Sequence, residues 1–286
     1  MNDASVNLRL DIAYDGTNFH GWALQAGDLR TVQGVIEDKL RLVLQLPVNY
    51  HLTVAGRTDA GVHATGQVAA IEVPTDRLEQ RSIAGDPSTL TRRLNKLLPP
   101  DIQIRAVQAV PAEFDARFCA VSRAYIYRVT CAVEGVSPLR RWNTAVWPKP
   151  VNLAVAHEAA HRLLGLHDFA AFCRPRPCAT TVRELLQFDW VDVSSREEPD
   201  TFEAHVRADA FCWNMVRSLV GATLAAGAGT RSVDFVAGLL SETSRSDRIP
   251  VAPAHGLTLV DVEYPPPEEW AARAEVTRNR RGVAEG

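Results

Sequence analysis

The chain has 286 residues, 46% hydrophobic and 23% charged, with a formal net charge of −3. That length holds one large domain or two of roughly 100–150 residues, and the apolar content at low net charge excludes a disordered chain. No apolar run reaches the ~18 residues a membrane helix needs, and no apolar stretch of a secretory signal stands near residue 1.

Val6, Leu8, Leu10, Ile12 and Tyr14 alternate with Asn7, Arg9, Asp11 and Ala13, the period of a half-buried strand. Asp15-Gly16-Thr17 breaks it, and a loop with Phe19, Gly21 and Trp22 follows. Val32, Val35, Ile36, Leu40, Val43 and Leu44 recur at helical spacing behind Thr31 as N-cap, with Pro47 closing the helix. Leu52–Ala55 and Gln67–Val73 read as short strands around a tight loop, Leu90–Leu98 as a helix stopped by Pro99-Pro100, and Ile102–Val110 as a strand. The first half is thus β-α-β-β-α-β.

The second half repeats the theme. Arg123–Thr130 has strand character, and an irregular stretch with Pro138, Pro148 and Pro150 follows. Asn152 caps a helical pattern through Val155, Ala159 and Leu163. Val182–Val193 and Phe202–Ala210 are strands, Met215–Ala226 and Ser232–Leu240 helices, and Leu257–Tyr264 a last strand. The expected fold is α+β: two similar subdomains, residues 1–110 and 111–264, with mixed, largely antiparallel sheets, helices on one face and a central cleft. Residues 265–286 begin with three prolines and are expected to form a helical or loose tail.

The five cysteines (119, 131, 173, 178 and 212) are odd in number, and only Cys173 and Cys178 lie close. Their spacing fits neither a disulfide framework nor a zinc site, so a reducing cytoplasm is the expected compartment. Among the 31 basic residues only Lys39, Lys96 and Lys149 are lysines. Arginine favours bidentate phosphate contacts, although a codon bias toward arginine explains the excess as well. Residues 105–141 carry six arginines against three acids, and Arg174, Arg176 and Arg183 stand without an acid, whereas Asp192–Glu203 gathers five acids. Such separation allows a basic surface on an acidic protein.

The densest chemical signal is Gly56-Arg57-Thr58-Asp59-Ala60-Gly61-Val62-His63-Ala64, between two predicted strands. A turn in which Asp59 bonds its own backbone accounts for such a loop. So does a reactive site, because Arg57 beside Asp59 would keep the carboxylate ionised and the glycines admit a ligand close to the backbone. An ionised carboxylate acts as nucleophile or base. His63 reads as a structural loop residue.

The string GRTDAGVHA resembles the signature of the tRNA pseudouridine synthase A family, and other stretches agree in family order. They are Tyr14-Asp15-Gly16-Thr17 with Phe19, Gly21 and Trp22; Phe114-Asp115-Ala116-Arg117-Phe118 before Arg123-x-Tyr125-x-Tyr127; Asp168-Phe169 with Phe172, then Thr181-x-Arg183; Ala210-Phe211 with Met215-Val216-Arg217 and Gly221; and Gly256-Leu257. The likeness spans about residues 5–264. It departs from the family at Ala23, where glutamine usually stands, at Trp213 or Asn214, where many members have histidine, and at Thr258, where tyrosine is common.

The resemblance implies the pseudouridine synthase fold and the isomerisation of uridine to pseudouridine in the tRNA anticodon stem-loop, positions 38 to 40. It also implies a homodimer without metal or cofactor. By its motifs, Asp59 is the catalytic carboxylate, Tyr125 packs on the target base, Arg217 is the basic partner, Leu257 an apolar wall and Arg57 the base-flipping arginine. Arg174 and Arg176 read as an exposed basic loop for RNA phosphates. Tyr125 and Tyr127 share one face of a strand and could both be core residues, and Arg217 near a helix start could merely snorkel. Phe211 and Trp213 suit stacking on RNA or packing equally. One carboxylate could attack the sugar C1′ or uracil C6, or take the C2′ proton. Two other functions remain open on the residues alone. A carboxylate-dependent nucleoside or glycoside hydrolase would need a second acid, for which Asp15 is the candidate. A non-catalytic RNA-binding protein would not need Asp59 at all.

Overall fold

The computed structural model describes residues 4–176 and 180–282, so Pro177 and Cys178 lie outside the described residues. The chain divides into two compact units. One contains residues up to Val121 together with Asp261–Gly282, the other Ser122–Val260.

The first unit starts with β1 (Ser5–Tyr14), whose alternate residues Leu8, Leu10, Ile12 and Tyr14 are buried as the period predicts. Then come α1 (Val32–Leu44), β2 (Thr53–Val54), β3 (His63–Pro74), α2 (Thr89–Asn95) and β4 (Ile102–Val110). β1 is central and pairs antiparallel with both β3 and β4, and β2 adds to β3. Thr31 caps α1 by accepting the Gly34 amide. The helix ends before Pro47, at Gln45, which takes a left-handed conformation (φ 53°) and returns its N–H to the Arg41 carbonyl. Phe114 packs on Tyr264 and Trp270, at ring distances of 5.0 and 4.8 Å. That aromatic cluster anchors the C-terminal segment to this unit, where it forms α6 (Trp270–Gly282).

The second unit holds β5 (Ser122–Thr130), β6 (Ala145–Val146), α3 (Leu153–His161), β7 (Gly165–Asp168), β8 (Val182–Asp192), β9 (Thr201–Ala208), α4 (Met215–Gly227) and α5 (Val233–Gly238). β10 (Leu257–Glu263) begins in this unit. β9 lies between β5 and β8, and β7 pairs with β8, all antiparallel, whereas β6 joins β5 in parallel. The sheets are therefore mixed and largely antiparallel, and the fold is α+β. α3 packs on β8 and on α4, and α4 buries Leu219, Val220, Ala222, Leu224, Ala225 and Ala226 in that core. Asn152 caps α3 as expected, and Ser232, read from the sequence as the first residue of a helix, caps α5. Among the described residues no helix is long and apolar enough to cross a membrane.

Two sequence expectations fail here. Cys173 and Cys212 form a disulfide, their Cα atoms 5.7 Å apart, where the spacing predicted none. The chain separation of 39 residues hid the pairing, because only the fold brings them together. The basic stretch is also less free than its arginine count implied. Arg128 pairs with Glu198 and Glu203 from the acidic loop, at 3.0 and 2.5 Å, and Arg183 donates to the Thr180 and Val182 carbonyls.

Candidate active site

The Gly56–Ala64 loop is clamped by the Tyr14–Trp22 segment. Thr58 is buried, and its Oγ1 lies 2.7 Å from the Tyr14 hydroxyl. Gln67 Nε2 donates to that hydroxyl at 3.3 Å and to the Gly56 carbonyl at 2.8 Å. Burial pushes the Tyr14 phenol up to about 12 against the opposing hydrogen bonds from Thr58 and Gln67, so it stays neutral. The Trp22 amide donates to Thr58 O at 3.0 Å and the Gly61 amide to Phe19 O at 3.4 Å.

The approach is close enough to require glycine. Gly21 has φ +90°, and a Cβ there would stand 2.8 Å from Thr58 O. A Cβ on Gly16 would stand 2.0 Å from Val62 O. The Val62 amide closes the turn on Asp59 O at 3.1 Å. Asp59 is thus held on both flanks while its own side chain is half-buried. His63 is buried and its Nδ1 accepts the Gly16 amide at 3.0 Å. Asp15 accepts from the Thr17 amide and hydroxyl through one oxygen. Arg57, in the same loop as Asp59, is exposed.

In the second unit, Tyr125 lies on β5, nearly buried, with Phe211 edge-on at 5.2 Å and 87°. Tyr127 is fully buried. A Cβ on Gly256 would stand 2.7 Å from its ring and 2.8 Å from Arg128 O, which explains the glycine before Leu257. Leu257 is buried at the start of β10. Arg217, in the first turn of α4, does not snorkel: it is half-buried, with Nε donating to Ala252 O at 2.7 Å. Its own carbonyl accepts the Ala252 amide at 3.0 Å. Burial raises the Tyr127 phenol, opposed by the charge of Arg217.

Arg174 and Arg176 both stack on Trp213, their guanidinium carbons 4.2 and 4.5 Å from the ring centre. The Arg174 amide donates to Trp213 O at 2.8 Å, beside the Cys173–Cys212 bond. Trp213 is therefore a platform for cations, a role its position in the sequence did not reveal. Asp168 is structural, since it accepts from Thr181 Oγ1 at 2.6 Å and from the Ala170 amide at 3.0 Å. Sequence reading also missed Thr58 and Gln67 as supports, and Arg245, which stands in no motif.

The model of the tRNA pseudouridine synthase family matches residues 12–119 and 159–265. These segments carry Arg57, Asp59, Arg217 and Leu257, and Tyr125 lies between them. A protein of Corynebacterium glutamicum named tRNA pseudouridine synthase A is 58% identical, over 96% of this chain and 94% of that protein. Proteins of the same name from Frankia casuarinae and Mycobacterium leprae are 52% and 47% identical, covering 97% and 96% of this chain and 96% of each relative. Matches of that extent, on segments that build the Asp59 loop and its clamp, mean that this chain belongs to the tRNA pseudouridine synthase family.

Proposed function

We propose that the chain isomerises uridines of the tRNA anticodon stem-loop, at positions 38 to 40, to pseudouridine, with Asp59 as the reacting carboxylate. The N1–C1′ bond of the uridine breaks, the uracil turns, a C5–C1′ bond forms, the C5 hydrogen leaves as a proton and N1 gains one. Nothing is oxidised or reduced and no group donor enters, so the step needs no cofactor. The target base must leave its stack to be reached, a task given to Arg57. Tyr125 offers the loosened uracil a face that holds it without fixing its orientation. Arg217 supplies a held positive charge and Leu257 an apolar wall, while Arg174 and Arg176 bind RNA phosphates. The enzyme works in the cytoplasm as a homodimer.

One observation carries the reading: Asp59 sits in a loop pinned at Thr58, Gly61 and Val62 while its carboxylate remains half-exposed. Asp15 and Asp168 accept hydrogen bonds within their own turns. The engagement of Asp15 also weighs against a two-carboxylate hydrolase. Incubation with a tRNA transcript tritiated at uracil C5 tests the proposal. Isomerisation releases tritium, hydrolysis frees base, and passive binding does neither. Asp59→Ala is expected to abolish release while still binding the transcript; surviving turnover would remove Asp59 from its role.

A further inference from the structure

Arg245 belongs to no motif of the sequence, yet it sits where three segments of the second unit are tied together. The Ser246 amide donates to Ala171 O at 3.0 Å, the Arg174 amide to Trp213 O at 2.8 Å, and the Ala252 amide to Arg217 O at 3.0 Å. These bonds bring Arg174, Arg217 and Arg245 into one neighbourhood. Arg245 is half-buried, and its Nη1 is buried with no hydrogen-bond partner. None of the three pairs with a carboxylate among the described residues. Arg128, by contrast, has two acids, and Arg248 has Glu242. We propose that Arg245, with Arg174 and Arg217, forms a cradle for one phosphodiester group of the substrate RNA.

The chemistry favours a phosphodiester. A buried guanidinium N–H without an acceptor is costly, and the group most able to satisfy it is an anion that offers two oxygens to the planar fork. Burial and then the like charges of Arg174 and Arg217 lower the Arg245 pKa, and no acid opposes them. The like charges repel one another until an anion enters, so the site is poised for occupancy. Trp213 stiffens it by stacking Arg174 and Arg176 on one ring.

The inference rests on the reading of the chain as an enzyme acting on tRNA, and the test separates the two. Affinity for a tRNA transcript is measured by filter binding from 50 to 300 mM salt, together with tritium release. Arg245→Ala is expected to weaken binding about tenfold and to flatten the slope of log affinity against log salt by about 1. The loss falls mainly on KM rather than kcat. Arg245→Lys keeps the charge and loses the fork, so it retains the wild-type slope at reduced affinity. It also carries the test if the alanine variant fails to fold by circular dichroism. Wild-type affinity and slope in either folded variant, with the parent enzyme active, would overturn the cradle and leave the reaction standing. A parent protein that neither binds the transcript nor releases tritium would overturn both.

Discussion

Asp59 owes its position to residues that have no chemistry of their own. Gly21 and Gly16 let the backbone of one motif touch the other, and Tyr14 and Gln67 secure Thr58 next door. Gly21→Ala would meet Thr58 O at 2.8 Å in a conformation that an L side chain resists. A cost of about 1–3 kcal/mol follows, and the loop must shift, so tritium release should fall at least about tenfold even where urea unfolding shows a folded protein. Full activity in a folded Gly21→Ala would show that the clamp does not position Asp59. Tyr14→Phe strips the Thr58 hydroxyl of its partner and should cost about 1–2 kcal/mol by the same measurement. The motif residues themselves were legible in the sequence. The Tyr14–Thr58 bond was not, because its partners are 44 residues apart and neither side chain announces the other.

Caps made two helices of this chain readable: Thr31 and Asn152 each accept a first-turn amide, and each was visible as a polar residue before an apolar period, whereas Ser232, which caps α5, was read as part of the helix. β6 and β7, of two and four residues, were invisible because a period of two needs a longer run to declare itself. At this scale two contacts are open to test. His161 of α3 lies 2.9 Å from Asp189 of β8, and its hydrogen bond, with that of Gln187, holds the Asp189 carboxyl below its ordinary range. A folded pKa below the unfolded one stabilises the protein above the unfolded value, near 4, and that gain is lost as pH falls through the lower folded value. Asp189→Asn should therefore cost stability at pH 6 and little at pH 3, by less than about 1 kcal/mol because the pair is exposed. Equal urea-midpoint losses at both pH values would contradict this. The Cys173–Cys212 bond spans 39 residues, for which chain entropy gives about 4 kcal/mol. Cys212→Ser should lower the urea midpoint in oxidising buffer and change it little in reductant, and equal midpoints without reductant would mean the bond adds nothing.

Across the whole molecule, the repetition of strands and helices was legible, whereas the way the chain's end folds back onto the first unit was not. Phe114, Tyr264 and Trp270 meet at separations no local pattern encodes. Charge behaves likewise. A net charge of −3 conceals which arginines are spent on acids and which face solvent unopposed. Arg128 is spent on Glu198 and Glu203, while Arg174 and Arg176 are exposed on Trp213 and pair with no acid among the described residues. Counterion release turns that difference into a measurement, since each phosphate contact adds about 0.7–0.9 to the slope of log affinity against log salt. Replacing both Arg174 and Arg176 with alanine should flatten the slope for a tRNA transcript by about 1.5. Arg128→Ala should leave the slope where it was, because a cation already neutralised within the protein displaces no counterion from RNA. If the Arg128 variant flattened the slope as much as the double variant, RNA would be answering to arginine number, and the partition of charge seen in the structure would have no bearing on binding.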